Sequence, residues 1–194
     1  MRRDLRVYWH SLHHTRQIEP VFDDDLAERF LAKIEAAAAT VARVGQDAGI
    51  AAEIGAYLER HGLEKKLVAS DDNGLRHIGW PADFSVERRV PGGGDPVGLT
   101  PALCAIAETG TLMLTSAPTR PTSLNFLPDY HIVVLRREQL VARMEDAWDL
   151  LRESGEFMPR TVNFISGPSK TADVEQTVEY GAHGPRCLHV ILVD

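Results

Sequence analysis

Hydrophobic positions along the chain recur with two different periods. Behind Asp23, Asp24 and Asp25, Leu26, Phe30 and Ile34 stand at i, i+4 and i+8. That spacing predicts a helix with one apolar face and an acidic first turn that complements its dipole. The alanine run to Ala39 passes into Thr40–Val44, a short β-branched stretch that predicts a strand. Ile50, Ile54 and Leu58 predict a second helix from Asp47, closed by His61 and the C′ glycine Gly62. A short strand is expected over Lys66–Ala69. Residues 70–100 carry turn and loop punctuation instead, including Trp80-Pro81 and the triple glycine Gly92-Gly93-Gly94.

The second half is more apolar. Residues 131–135 form a continuous apolar run, as a strand covered on both faces requires. Leu140, Met144, Trp148 and Leu151 predict a helix over residues 139–152, and residues 161–165 another strand. Val174 and Val178, followed by Gly181, predict a further helix, and Cys187–Val193 a buried final strand. Strands alternating with helices predict an α/β fold with a largely parallel sheet.

Two polar turns interrupt this pattern. In the first, Glu108, Thr109, Gly110 and Thr111 lie between two short apolar runs. In the second, Ser166, Gly167, Pro168, Ser169, Lys170 and Thr171 follow an apolar strand. Such turns present hydroxyls and bare amides at strand ends, and glycine permits positive φ or the close approach of another group. If a helix follows the second turn, Ser169 or Thr171 can cap it and its amino end favours an anion. An ATP-binding P-loop is excluded, because no glycine directly precedes Lys170 and none stands five residues before it. The two turns are expected side by side, with a site between them. Glu108 is the candidate general base or nucleophile. His131, at a strand start, and His183, in the turn over residues 181–185, are candidate ligand contacts, and His189 reads as a core histidine.

Composition narrows the function. The 194 residues suit a polar arm over residues 1–21 and one α/β domain over residues 22–194. The formal charge of −7 and scattered basic residues argue against nucleic acid as a partner. Cys104 and Cys187 stand far apart with no CxxC spacing, so no iron–sulfur or zinc site is expected on this chain. The arm carries His10, His13 and His14, an H-x-x-H-H spacing that could bind a divalent metal, but imidazoles alone are a weak signal and the segment reads as a polar arm. The N-terminus lacks the apolar core of a signal peptide, and no run is long enough to span a membrane. A cytoplasmic protein is expected, without a cofactor or metal of its own, and homo-oligomerisation is left open.

Three stretches carry a family resemblance: AETGTLML from Ala107 to Leu114, SLNFLP from Ser123 to Pro128 with His131 following, and ISGPSKTADVE from Ile165 to Glu175, continued by GAHGP and LHVILV. Together they resemble the LUD domain, the family of lactate utilization protein C. The resemblance covers residues 101–194 closely and residues 22–70 only by pattern. It implies a three-layer α/β/α sandwich similar to the NagB/RpiA/CoA-transferase class, which binds small phosphorylated or CoA-linked molecules at strand ends. It also implies a role in oxidising L-lactate to pyruvate beside iron–sulfur partner proteins that hold the clusters. Three functions follow as expectations. One is a lactate-utilization subunit that binds a small anionic metabolite between the two turns. The second is an interaction protein that assembles or regulates the partners through the arm and the loop over residues 81–98. The third is a ligase or CoA-transferase-like enzyme using Glu108.

Overall fold

The computed structural model of the chain describes residues 25–155, 159–172, 178–181 and 183–194. The histidine-bearing arm lies outside the described residues. Helix α1 spans Leu26–Ala36, and its N-cap Asp25 accepts the Ala27 N–H at 2.7 Å. Its apolar face buries Phe30, Leu31 and Ile34. Strand β1 (Thr40–Val44), helix α2 (Ile50–Arg60, behind a single 3-10 turn) and strand β2 (Lys66–Ala69) follow as the hydrophobic pattern predicts.

The loop-rich stretch over residues 70–100 contains more order than its punctuation suggested. Asp72 accepts the Gly74 N–H at 2.7 Å and caps a one-turn helix, α3 (Asn73–Arg76). Strands β3 (Ser85–Arg88) and β4 (Val97–Pro101) follow. With β7 (Tyr130–Arg136) and β12 (Cys187–Val193), these strands form a six-stranded sheet in the order β1-β12-β7-β4-β2-β3. Every pair in it is parallel.

Side chains alternate across this sheet. Ile132, Val134, Ile191 and Val193 pack on α2 and α3, while Val133, Leu135, Val190 and Leu192 pack on α1. Both faces being covered explains the unbroken apolar runs of β7 and β12.

A second sheet, which the hydrophobic pattern did not separate from the first, shares the α1 side. It joins β8 (Leu140–Val141), β5 (Cys104–Ile106), β6 (Thr111–Thr115) and β9 (Val162–Ile165) in that order. Helix α4 (Met144–Glu153) covers its far face through Ala147 and Leu151. The predicted helix over residues 139–152 therefore starts later. Gln139 accepts the Arg136 N–H at 2.7 Å and donates to the Ala102 carbonyl at 3.0 Å, and β8 pairs with β5 instead of coiling.

The helix expected after the second polar turn is also corrected. Strands β10 (Lys170–Ala172) and β11 (Val178–Tyr180) form an antiparallel hairpin, with Lys170 opposite Tyr180. Residues 173–177 lie outside the described residues. The segment is rich in Thr, Val and Tyr, residues that favour strands. Residues 170–172, where the helix was expected to start, are therefore a strand.

The last turn of α1 fixes how the two layers meet. Gly110 has φ 67°, and a Cβ there would lie 2.6 Å from Lys33 Cβ. A Cβ on Gly167 would lie 2.7 Å from the Ala37 carbonyl oxygen, which also accepts the Lys170 ammonium at 2.7 Å. Ala38 leaves the helix at φ 73°, a left-handed conformation that favours glycine. Gly110→Ala and Gly167→Ala are each expected to cost about 2–4 kcal/mol, from overpacking and, at Gly110, from backbone strain as well. Ala38→Gly should gain a few tenths of a kcal/mol up to about 1 kcal/mol. Urea unfolding midpoints of the three variants measure these shifts.

Candidate functional site

The antiparallel pairing of β6 with β9 places the entrance of one strand beside the exit of the other. The two polar turns accordingly meet. Thr109 donates its hydroxyl to Thr111 Oγ1 at 2.7 Å, and Thr111 Oγ1 lies 2.8 Å from Ser166 Oγ. The turns are adjacent, and the second one lines a hollow.

That hollow is a cavity of about 250 Å³ at the amino ends of β7 and β12. Its polar wall carries His131, Ser166, Gly167, Ser169 and His183. Leu188, Ile165 and Pro185 supply apolar wall, and Phe126 and Phe164 flank it. Asn125 completes it and is itself buried. The turn carrying Ser169 is tied to the loop carrying His183 by two backbone bonds, Ser169 N–H to the Pro185 carbonyl (2.8 Å) and Gly181 N–H to the Ser169 carbonyl (3.0 Å). The segment over residues 124–128 closes over β4 at Gly98, where a Cβ would meet Pro128 Cγ at 2.8 Å.

The other predicted residues lie elsewhere. Gly110 presses on α1, Thr109 is exposed, and Thr111 contacts the site only through Ser166. Lys170 reaches α1 rather than the cavity. Glu108 is half-buried at the hairpin turn, where its N–H donates to the Ala142 carbonyl at 3.0 Å, and it does not line the hollow. The backbone of Thr171 is in β10. Residues that sequence reasoning left out of the site are Asn125, Phe126 and Phe164 on the wall, and Thr100 behind it.

His131 is the chemical centre of this arrangement. Its ring is buried at the cavity wall, Nε2 lies 2.7 Å from Thr100 Oγ1, and Nδ1 has no hydrogen-bond partner. A buried nitrogen left without a partner costs free energy. Burial pushes the imidazole pKa down to about 3, so the ring is neutral near pH 7, with one nitrogen a donor and the other an acceptor. The cavity walls thus offer hydroxyls, two imidazoles and an amide, with no Asp, Glu, Lys or Arg among the described lining residues.

His189 is the core histidine the pattern suggested. It stacks on Tyr57 at 4.2 Å between ring centroids, its Nδ1 lies 2.8 Å from Thr40 Oγ1, and burial lowers its pKa to about 4. Burial also holds the Cys104 thiol high, at about 12, as an inert core group. Among the described residues, no cluster of three or more His, Cys, Asp or Glu side chains is placed to hold a metal. No helix there is long and apolar enough to cross a membrane.

The parallel sheet between helices makes this a three-layer α/β/α protein with a second, mixed sheet. Residues 93–193 match the family model for the LUD domain, and the chain belongs to that family. Among similar proteins, lactate utilization protein C of Bacillus subtilis is 34% identical over 140 residues, covering 70% of this chain and 58% of that protein. Lactate utilization protein C of Halalkalibacterium halodurans is 38% identical over 102 residues, covering 50% and 44%. The chain spans about half the length of the curated relatives it matches. The crystal structure of a DUF162 family protein from Deinococcus radiodurans shares the fold, with a TM-score of 0.69 and 22% identity, covering 90% of this chain and 100% of that one.

The two buried histidines set a pH dependence. Their folded pKa values lie below the 6.5 of a free imidazole, so only the unfolded chain takes up their protons as pH falls. Stability from this source is complete above about pH 6.5 and is lost progressively towards pH 4, on the order of 2 kcal/mol per histidine by pH 5. His131→Asn should flatten the slope of unfolding free energy against pH in that window. An unchanged slope would show that the ring is not buried neutral.

Proposed function

We propose that the chain serves L-lactate utilization and that the His131 cavity binds a small carboxylate metabolite of that process, L-lactate or pyruvate. The names of the relatives support the process, and the orphaned Nδ1 of His131 in a cavity of matching size supports the ligand. At about 30 Å³ per water, the cavity holds the equivalent of roughly eight waters. That is room for a three-carbon acid and its hydration, and too little to enclose a CoA ester.

The chemistry of the walls suits such a ligand. The hydroxyls of Ser166 and Ser169 can donate to a carboxylate, with His183 at the exposed rim, and Leu188 and Ile165 offer apolar surface to a methyl group. The neutral His131 ring adapts to the oxygen at the second carbon. With the proton on Nε2, Nδ1 accepts from a hydroxyl; with the proton on Nδ1, it donates to a keto oxygen. Binding at this site does not involve Glu108. In this reading the electrons of lactate oxidation go to iron–sulfur clusters on partner proteins.

A second reading, a role in assembling those partners, draws support from the cavity mouth. There Phe126 is 42% and Phe164 39% exposed, with Leu127 beside them at 55%. An apolar patch at a polar cavity's rim is a feature of interaction surfaces.

Isothermal titration calorimetry with L-lactate and pyruvate tests the ligand. Saturable binding is expected for at least one of them, and His131→Phe should weaken it at least tenfold, about 1.4 kcal/mol, while the variant remains folded by circular dichroism. Absence of heat from both acids, at concentrations of tens of millimolar, would contradict the reading.

A further inference from the structure

Two short relays of hydrogen-bonded side chains end at the His131 cavity, and each starts from a threonine that does not line it. In the first, Thr109 donates to Thr111 Oγ1 at 2.7 Å, and Thr111 Oγ1 lies 2.8 Å from Ser166 Oγ on the cavity wall. In the second, Thr100 Oγ1 lies 2.7 Å from His131 Nε2. Thr100 and Thr111 are buried, only 3% and 4% exposed. A buried hydroxyl hydrogen without an acceptor costs free energy, so the direction of each relay follows from where its hydrogens can go.

Thr111 already accepts from Thr109, and Ser166 is the remaining partner for its own hydrogen among the described residues. Thr111 therefore donates to Ser166 Oγ, which leaves the Ser166 hydroxyl free to donate to whatever occupies the cavity. The neutral His131 ring has two forms. With the hydrogen on Nε2, that N–H donates to Thr100 Oγ1, and both the Thr100 hydrogen and the Nδ1 lone pair lack a partner among the described residues. With the hydrogen on Nδ1, Thr100 donates to Nε2 and the Nδ1 hydrogen alone is unpaired. The second form leaves one buried group fewer unsatisfied.

We propose that Thr100 and Thr111 are positioning residues that set the cavity to donate, so that it prefers a 2-oxo acid to the matching 2-hydroxy acid. Thr100 holds the His131 hydrogen on Nδ1, and Thr111 keeps the Ser166 hydroxyl pointing its hydrogen away from the relay. The preference rests on the reading of the cavity as a site for L-lactate or pyruvate. Because Thr100 occupies Nε2, Nδ1 is the ring nitrogen left for a ligand, and it meets a keto oxygen as a donor. The hydroxyl of L-lactate brings a hydrogen for which this ring form has no acceptor, and a hydrogen left unpaired on binding weakens affinity.

Two measurements on the full chain test this. The first is the ring ¹⁵N spectrum of the ligand-free wild type at about pH 7, with His131 assigned through ring-to-backbone correlations. A pyridine-type shift at Nε2 and a pyrrole-type shift at Nδ1 are expected. Thr100→Val should move the ring towards the Nε2–H form, and Thr100→Ser should keep the wild-type pattern, a rescue that a packing role for the threonine methyl would not give. The second is calorimetry with pyruvate and L-lactate. Pyruvate is expected to bind more tightly by about fivefold or more, the worth of one hydrogen bond, and Thr100→Val and Thr111→Val should shrink that ratio. The wild-type spectrum needs no variant, so a poorly folded substitution cannot obscure it. A wild-type ring protonated on Nε2 would overturn the proposal whichever acid binds. Equal or tighter binding of L-lactate would overturn the preference and leave the lactate reading standing, whereas heat from neither acid would overturn both.

Discussion

The last turn of α1 is the surface against which the rest of the molecule is set. Gly110 from one sheet connection and Gly167 from another both press onto residues 33–37, each so closely that a methyl group would not fit. Lys170 adds a charged hydrogen bond to the Ala37 carbonyl at the same place, where the negative end of the helix dipole favours a cation. Protein interiors are packed too densely to absorb an extra carbon without movement. These contacts therefore fix the spacing between the mixed sheet and the parallel one. The gap left at the amino ends of β7 and β12 is the His131 cavity, so the helix end and the cavity form one packing problem.

The two ends of the parallel sheet show how burial and pairing lead to different chemistry. At the amino ends, desolvation strips His131 of its charge and leaves a neutral, adaptable ring among hydroxyls. At the carboxyl ends, carboxylates hold two guanidiniums in fixed positions. A neutral site selects by hydrogen-bond pattern and shape, whereas the paired charges at the carboxyl ends tie strand exits to one another. Thr100 stands between them, bonding His131 from the strand whose next residue, Pro101, lies beside the paired charges.

Much of the first sheet could be read from the chain itself, because α1 and α2 repeat their apolar positions every fourth residue and β7 and β12 are uninterrupted apolar runs. The second sheet could not. Its β8 is two residues long and is defined by pairing with β5, a non-local contact that no window of sequence contains. Leu140 also shares helical spacing with Met144, which favoured the wrong extension of α4. The β10–β11 hairpin failed for a related reason, since Val174 and Val178 are four apart and Gly181 looks like a helix stop. In the structure Gly181, with φ 84°, instead follows β11 and lies tight against Arg186. Ser166, Ser169, His131 and His183 were legible as candidates because turn chemistry and lone histidines stand out locally. Thr100 carried no local signal, and the outward placement of Glu108 depended on how its hairpin meets β8.

The proposed site turns on His131 being a neutral imidazole at the wall of a ligand-binding cavity. Its most direct measurement is the pair of ring ¹⁵N chemical shifts from about pH 7 down to about pH 5, with and without L-lactate. The proposed site predicts no protonation in that range and a shift of the ring nitrogens when lactate binds. A ring that titrates near the free-imidazole pKa, with both nitrogens indifferent to lactate, would contradict it.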